Sequence, residues 1–125
     1  MHKYRELKVW QRAMVFTVTI YRETRGWPDD EKFGLISQIR RATSGIPMNI
    51  AEGAGNTSNK EFCRFLEIAW RSDYEVMTAI EFARGLEFLP DKRADSLLAE
   101  ADEIAAMRTG LMKSLGWKSP SRPVK

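Results

Sequence analysis

Apolar residues in the first part of the chain recur at intervals of three and four. Val9, Ala13, Phe16 and Ile20 form one stripe, with Trp10, Met14, Thr17 and Tyr21 beside it, which predicts an amphipathic helix with a broad buried face. In the next segment Ile36, Ile39, Thr43, Ile46 and Ile50 alternate the two intervals, as in a helix packed almost parallel to its neighbours. A third segment carries Phe62, Phe65, Ala69, Ser72, Val76, Ala79, Ala83 and Leu86 at the same spacing. It is preceded by Ser58-Asn59-Lys60-Glu61, a capping box in which Ser58 takes the amide of Glu61 while Glu61 reaches back. The fourth segment aligns Ala94, Leu97, Ala101, Ile104, Leu111 and Leu115, and Arg108 interrupts this seam. Acids gather between Asp91 and Glu103, where a helix start favours negative charge.

Gly26-Trp27-Pro28, Gly53-Ala54-Gly55 and Leu89-Pro90 separate the four segments, and no stretch alternates as a strand would. Connections of a few residues cannot return the chain to the far end of a helix, so neighbours should run antiparallel. The predicted fold class is all-α, an up-down-up-down antiparallel four-helix bundle over residues 1–115. Residues 116–125, rich in Ser, Pro and base, read as a disordered tail.

Helix two should contain Pro47, which cannot donate to the carbonyl of Thr43 and costs about 3 kcal/mol in a helix interior. Ser44 and Asn49 are expected to bond the freed backbone and Gly45 to relieve crowding, giving a kinked helix; a break is the alternative. Beside the isoleucine seam, Leu35, Gln38, Ala42, Gly45, Asn49 and Glu52 make a second stripe of small and polar residues. That is more face than one antiparallel partner covers, so a second contact is expected, across the bundle or between subunits.

Composition narrows the function classes. The 125 residues suffice for one domain, and 43% hydrophobic with 30% charged residues excludes a disordered or fibrous chain. The lone Cys63 and lone His2 leave no internal disulfide and no zinc cluster. No apolar run is long enough to span a bilayer and MHKYRELK lacks the apolar region of a secretory signal, which reads as a cytoplasmic protein. The formal charge is +3, but Lys118, Arg122 and Lys125 of the last ten residues account for all of it, so net charge alone is weak evidence for a polyanion partner.

Catalysis needs a nucleophile, base or metal in mutual geometry, and neither His2, at an expected frayed terminus, nor Cys63 has a partner in sequence. No catalytic residue, cofactor or metal is therefore expected. Glu52 and Asn49 read as polar partners within a helical interface rather than as a reacting pair. A buried Arg108 would need a carboxylate, such as Glu52. Lys3, Arg5, Lys8 and Arg12 make a basic amino-terminal group, Arg40 and Arg41 flank the helix-two seam, and Lys118, Arg122 and Lys125 surround the tail beyond Trp117. Two readings of these bases stand side by side: phosphate contacts, multiplied in a cyclic assembly, or solvated faces and surface ion pairs. Trp10, Trp27 and Trp70 are expected to pack; Trp117 either stacks on a base or belongs to a tail without function.

The order Leu7-Lys8-Val9-Trp10-Gln11-Arg12-Ala13, Tyr21, Trp27-Pro28 and Glu31-Lys32-Phe33-Gly34-Leu35 resembles the four-helix bundle family of 23S rRNA intervening sequences. Its central signature is matched by Gln38-Ile39-Arg40-Arg41-Ala42, by Ser44-Gly45-Ile46-Pro47-Met48-Asn49-Ile50-Ala51-Glu52-Gly53, and by Glu61-Phe62, Phe65-Leu66 and Ile68-Ala69. The resemblance covers about residues 5 to 115. It implies a left-handed bundle assembling as a homopentamer, with Gln38, Ser44, Pro47, Asn49, Glu52 and Gly53 as motif and interface candidates. Related proteins accompany diversity-generating retroelements, which implies an RNA, DNA or polymerase partner. The chain departs from the family at Asn56, where a base is frequent, and at Arg71-Ser72, where a small pair is frequent. The expected function is a non-enzymatic, oligomeric nucleic-acid-binding or ribonucleoprotein accessory protein; the competing one is a scaffold that recruits another protein without touching nucleic acid.

Overall fold

A computed structural model describes residues 2–118. Four helices occupy them: α1 (Lys8–Thr24), α2 (Leu35–Ala54), α3 (Asn59–Gly85) and α4 (Asp91–Ser114), with short 3-10 turns at Tyr4–Glu6 and Asp29–Glu31. There is no strand among the described residues. The helices form a closed ring in which each packs on its sequence neighbours and α1 packs on α4. Across that last pair Arg12 meets Glu100 and Glu23 meets Arg93, so the contacts run in opposite sequence order. The same reversal joins Arg84 to Asp95 across α3 and α4 while Asn59 reaches Leu115.

Val9, Ala13, Phe16 and Ile20 are buried, as is the whole seam Ile36, Ile39, Thr43, Ile46 and Ile50. The companion stripe of α1 is less buried than its spacing implies, since Met14 and Tyr21 are each 40% exposed. In α3 the buried set is Phe62, Leu66, Ala69, Asp73, Val76, Ala79, Ile80 and Ala83, whereas Phe65 and Ser72 are half-buried and Leu86 is exposed. The seven-residue repeat Phe62, Ala69, Val76 and Ala83 is buried throughout, but the positions between them that face the core are Leu66, Asp73 and Ile80, one residue on from the expected Phe65, Ser72 and Ala79, because the core lies on the other side of that repeat.

Two local expectations are corrected, and the start of α2 shows a cap the sequence did not announce. Ser58 accepts from the Glu61 amide at 3.0 Å, but the Glu61 carboxylate turns to Arg64 at 2.8 Å instead of back to the cap, so half of the box forms. The α2 start is capped by an acid outside the helix: Glu31 Oε2 accepts from the Leu35 amide at 2.9 Å, and a Cβ at Gly34 would lie 2.9 Å from that same oxygen. This gives Glu31 and Gly34 of the motif a local reason. His2 is not frayed; its amide donates to the Ala54 carbonyl at 2.8 Å and its ring lies 5.2 Å from that of Phe62.

Pro47 lies inside α2. Ser44 and Asn49 bond the carbonyls of Arg41 and Gly45, not that of Thr43. The hydroxyl nearest that oxygen comes from α1: Thr17 Oγ1 donates chiefly to the Ala13 carbonyl at 2.7 Å and lies 3.3 Å from the Thr43 oxygen, so its one hydrogen is shared between them. Thr17→Val keeps shape and removes that donor, so it should cost about 1–3 kcal/mol in urea unfolding, the penalty of a buried carbonyl left unpaired. A loss no larger than that of Thr19→Val, on the exposed side of the same helix, would exclude this role.

The second stripe of α2 finds most of its partner inside the chain. Leu35 and Ala42 are buried, Gly45 sits against Ser72, and Gly53 sits against Phe62 and Phe65 of α3. Of this stripe only Gln38 and Glu52 are exposed. The uncovered apolar surface lies elsewhere, notably at Val15, Met48, Phe33 and Phe82.

Candidate nucleic-acid interface

Opposite directions of packing bring the amino terminus, the α2–α3 connection and the end of α4 to one end of the bundle. His2 bonds Ala54, and Asn59 Nδ2 reaches the Leu115 carbonyl at 3.5 Å. Lys3, Arg5 and Lys8 are exposed there, joined by Lys118 of the tail, already a candidate by sequence, and by two bases that the sequence did not single out: Lys60 at the start of α3 and Lys113 near the end of α4. None of these six forms an ion pair among the described residues. Gln11 Nε2 donates to the Arg5 carbonyl at 2.7 Å, holding the amino-terminal turn on α1, and the Arg5 guanidinium lies 5.3 Å from the Tyr4 ring. Arg64 stands beside Lys60 but is paired with Glu61.

The other bases singled out by sequence are deployed differently. Arg12 is held by Glu100 at 2.8 and 3.0 Å, which raises its pKa, so its charge is already answered. Arg40 is half-buried near the carboxyl end of α1, donating to Thr24 Oγ1 at 2.8 Å and the Tyr21 carbonyl at 3.2 Å, with its guanidinium 4.7 Å from the Tyr21 ring. A cation there also meets the negative end of the α1 dipole. Arg41 is exposed and donates to Ser37. These two therefore stand toward the opposite end from Lys3, since α1 advances about 24 Å from Lys8 to Thr24 at 1.5 Å per residue. Arg122 and Lys125 lie outside the described residues.

Trp117 is half-buried against the core; its amide donates to the Met112 carbonyl, and it shares a cavity of about 480 Å³ with Cys63, Lys60 and Arg64. It thus packs as Trp10, Trp27 and Trp70 do. Burial, then Glu67, raises the Cys63 thiol, the reverse of what nucleophilic activation requires.

A feature absent from the sequence reading is the buried Asp73. It is 1% exposed and neither carboxylate oxygen has a hydrogen-bond partner among the described residues. Burial pushes its pKa up to about 7, Asp102 adds to the rise, and Arg108 opposes it. Its seam spacing from Ala69 and Val76 was the available signal. Arg108 does not pair with Glu52, which is exposed. Its guanidinium lies over the Trp70 ring at 5.0 Å, with Glu67 at 3.9 Å and Thr109 Oγ1 at 2.9 Å. Burial lowers the Arg108 pKa, and Glu67, Asp73 and Tyr74 pull it back. Helical geometry explains the exchange of partners: α4 antiparallel to α3 sets Arg108 beside residues 67–73, whereas Glu52 points away from the core.

No group of His, Cys, Asp and Glu able to hold a metal occurs among the described residues, and no helix there is long and apolar enough to cross a membrane. The arrangement defines an all-α four-helix protein with a basic end that is unpaired among the described residues and with Asp73 and Arg108 buried in its core. The chain belongs to the 23S rRNA-intervening sequence protein family, whose model matches residues 5–110. Among solved structures it is similar to a protein of unknown function from the S23 ribosomal protein family of Bacteroides thetaiotaomicron, at 23% identity and a TM-score of 0.75. That match covers 84% of this chain and 98% of the other, and it establishes likeness of fold. No curated protein matches the chain.

Proposed function

We propose that this is a non-enzymatic, oligomeric nucleic-acid-binding or ribonucleoprotein accessory protein that contacts phosphates without reading bases. The supporting observation is the gathering of Lys3, Arg5, Lys8, Lys60, Lys113 and Lys118 at one end of the bundle, unpaired among the described residues. Each phosphate neutralised by such a group releases condensed counterions, so a chain of modest net charge can still bind a polyanion. We read the bundle as up-down-up-down and left-handed and its working form as a cytoplasmic homopentamer, as the family resemblance implies. Five copies would repeat the basic end around one axis and add their phosphate contacts. Arg122 and Lys125 follow Lys118 in sequence and add to the positive charge of the chain.

The triple variant Lys3→Glu/Lys60→Glu/Lys113→Glu should weaken binding to structured RNA and duplex DNA by about tenfold or more at low salt. It should also flatten the salt dependence by about 0.9 in log–log slope for each duplex contact removed. Arg41→Glu, at the other end, should change the slope little. Failure of the wild-type chain to bind either polymer at low salt would sink the proposal.

The competing reading, a scaffold that recruits a protein such as a polymerase, draws on exposed aromatic surface. Tyr74 and Phe82, 51% and 60% exposed, line a groove between α2 and α3 together with Leu35, Gln38 and Thr78. Under that reading the triple variant retains function and a charged replacement at Phe82 abolishes it.

A further inference from the structure

We propose that the bundle core binds one internal water molecule where α2, α3 and α4 meet, held between the carboxylate of Asp73 and Nε of Arg108. The two side chains line one cavity with Ile46 and Ile50 of α2, Trp70 of α3 and Ile104 of α4. Asp73 is 1% and Arg108 8% exposed. The Asp73 Oδ1 and Oδ2 atoms and Arg108 Nε have no hydrogen-bond partner among the described residues. Burying such groups without partners costs several kcal/mol, so the site demands a ligand able to satisfy both kinds.

The cavity volume of about 10 Å³ is close to the minimum for a single water and too small for anything larger. The chemistry selects the same occupant. With Asp73 ionised, two acceptors and one donor are available, and a water can donate to both carboxylate oxygens while accepting from the guanidinium; with Asp73 protonated, the water accepts from its hydroxyl and from the guanidinium, so it serves either form. A cation would face the Arg108 charge; an anion would face Asp73, with Asp102 on α4 and Glu67 on α3 adding to the repulsion. An apolar guest would leave all three polar atoms unsatisfied. Tyr74, whose charge interaction also reaches Arg108, sits on the solvent side and is 51% exposed. The isoleucines and Trp70 close the site from bulk solvent, so the water should exchange slowly.

The test is oxygen-17 relaxation dispersion with water-to-protein NOEs on the full chain. The wild-type chain should show about one long-lived water, with NOEs to the Ile104 methyl groups and Arg108 Hε. Asp73→Asn, which keeps an acceptor oxygen and adds a donor, should retain it. The double variant Asp73→Leu/Arg108→Met, which makes the cavity apolar, should lose it. Absence of a long-lived water at this position in the wild-type chain, or its persistence in the double variant, overturns the proposal. Should the double variant not fold, a high-resolution crystal structure of the wild-type chain decides: water density bonded to Asp73 and Arg108 Nε supports the site, and a direct bond between them without density overturns it.

Discussion

Between pH 5 and pH 8 the wild-type chain is expected to lose roughly 2–3 kcal/mol of folding stability through Asp73 alone. An unfolded aspartate titrates near 3.9, whereas burial in the folded core raises Asp73 to about 7. A carboxyl whose folded pKa is raised favours the folded state in its neutral form. Its contribution is fully present below the unfolded pKa and lost as pH climbs through the folded value. The decline therefore begins near pH 4 and levels off above about pH 7, opposite in sign to that of an ion-paired surface acid. Asp102 deepens it, and Arg108 limits it.

Asp73→Asn removes the titration while retaining the shape of the side chain. Urea unfolding at pH 5 and pH 8, at one protein concentration, should give a pH difference for wild type that exceeds the variant's by roughly 2–3 kcal/mol. Parallel behaviour of the two proteins would show that Asp73 titrates near its ordinary value. Arg108→Met should steepen the wild-type decline, because the cation that lowers the Asp73 pKa is then gone.

Gly53→Ala should destabilise the bundle by about 1–3 kcal/mol, even though alanine is the better helix former. A Cβ at Gly53 would stand 2.7 Å from Cβ of Phe65 and 2.9 Å from the Phe62 ring. Cβ of Phe65 is fixed to the α3 backbone and cannot swing aside, so relief requires α2 and α3 to separate where they pack most closely. Gly110 is the control: it lies in the interior of α4, exposed, with nothing within 4 Å of an added Cβ. Gly110→Ala should stabilise by about 0.5–1 kcal/mol. Thermal melts of the two variants should thus move in opposite directions, by several degrees for a domain of this size. Equal or like-signed shifts would mean that the α2–α3 approach is looser than these distances describe. Gly45→Ala falls between, because its nearest neighbour is the rotatable Ser72 hydroxyl at 3.0 Å.

The isoleucine seam of α2 was legible because its period is local: one helix face is written into three- and four-residue intervals, and all five predicted positions are buried. The four helices and their separators were legible for the same reason, and so was the motif that carries family membership. The α3 seam was legible only in part, since the repeat Phe62, Ala69, Val76 and Ala83 has a candidate neighbour on either side and the side that faces the core, Leu66, Asp73 and Ile80, includes an acid. The partner of Pro47 was sought among Ser44 and Asn49 because they are near in sequence, whereas the donor beside the Thr43 carbonyl is Thr17, on another helix.

The basic surface divides along the same line. Lys3, Arg5 and Lys8 were visible as a cluster because they lie within six residues of one another in sequence. Lys60 and Lys113 joined them only when the helices reversed direction and brought distant segments to one end. Arg40 and Arg41 were grouped with them by residue type, yet a helix advances 1.5 Å per residue and α1 holds the groups apart.

Sequence alone determined that this chain forms four amphipathic helices with apolar faces and to which family it belongs, because periodicity and motif order are properties of neighbours along the chain. Which carboxylate meets Arg108, which hydroxyl meets the Thr43 carbonyl, where Asp73 is buried and which bases share an end were decided by tertiary packing alone. The physical reason is that polar pairing and desolvation depend on separation in space, and antiparallel helices bring together residues that lie many turns apart in sequence.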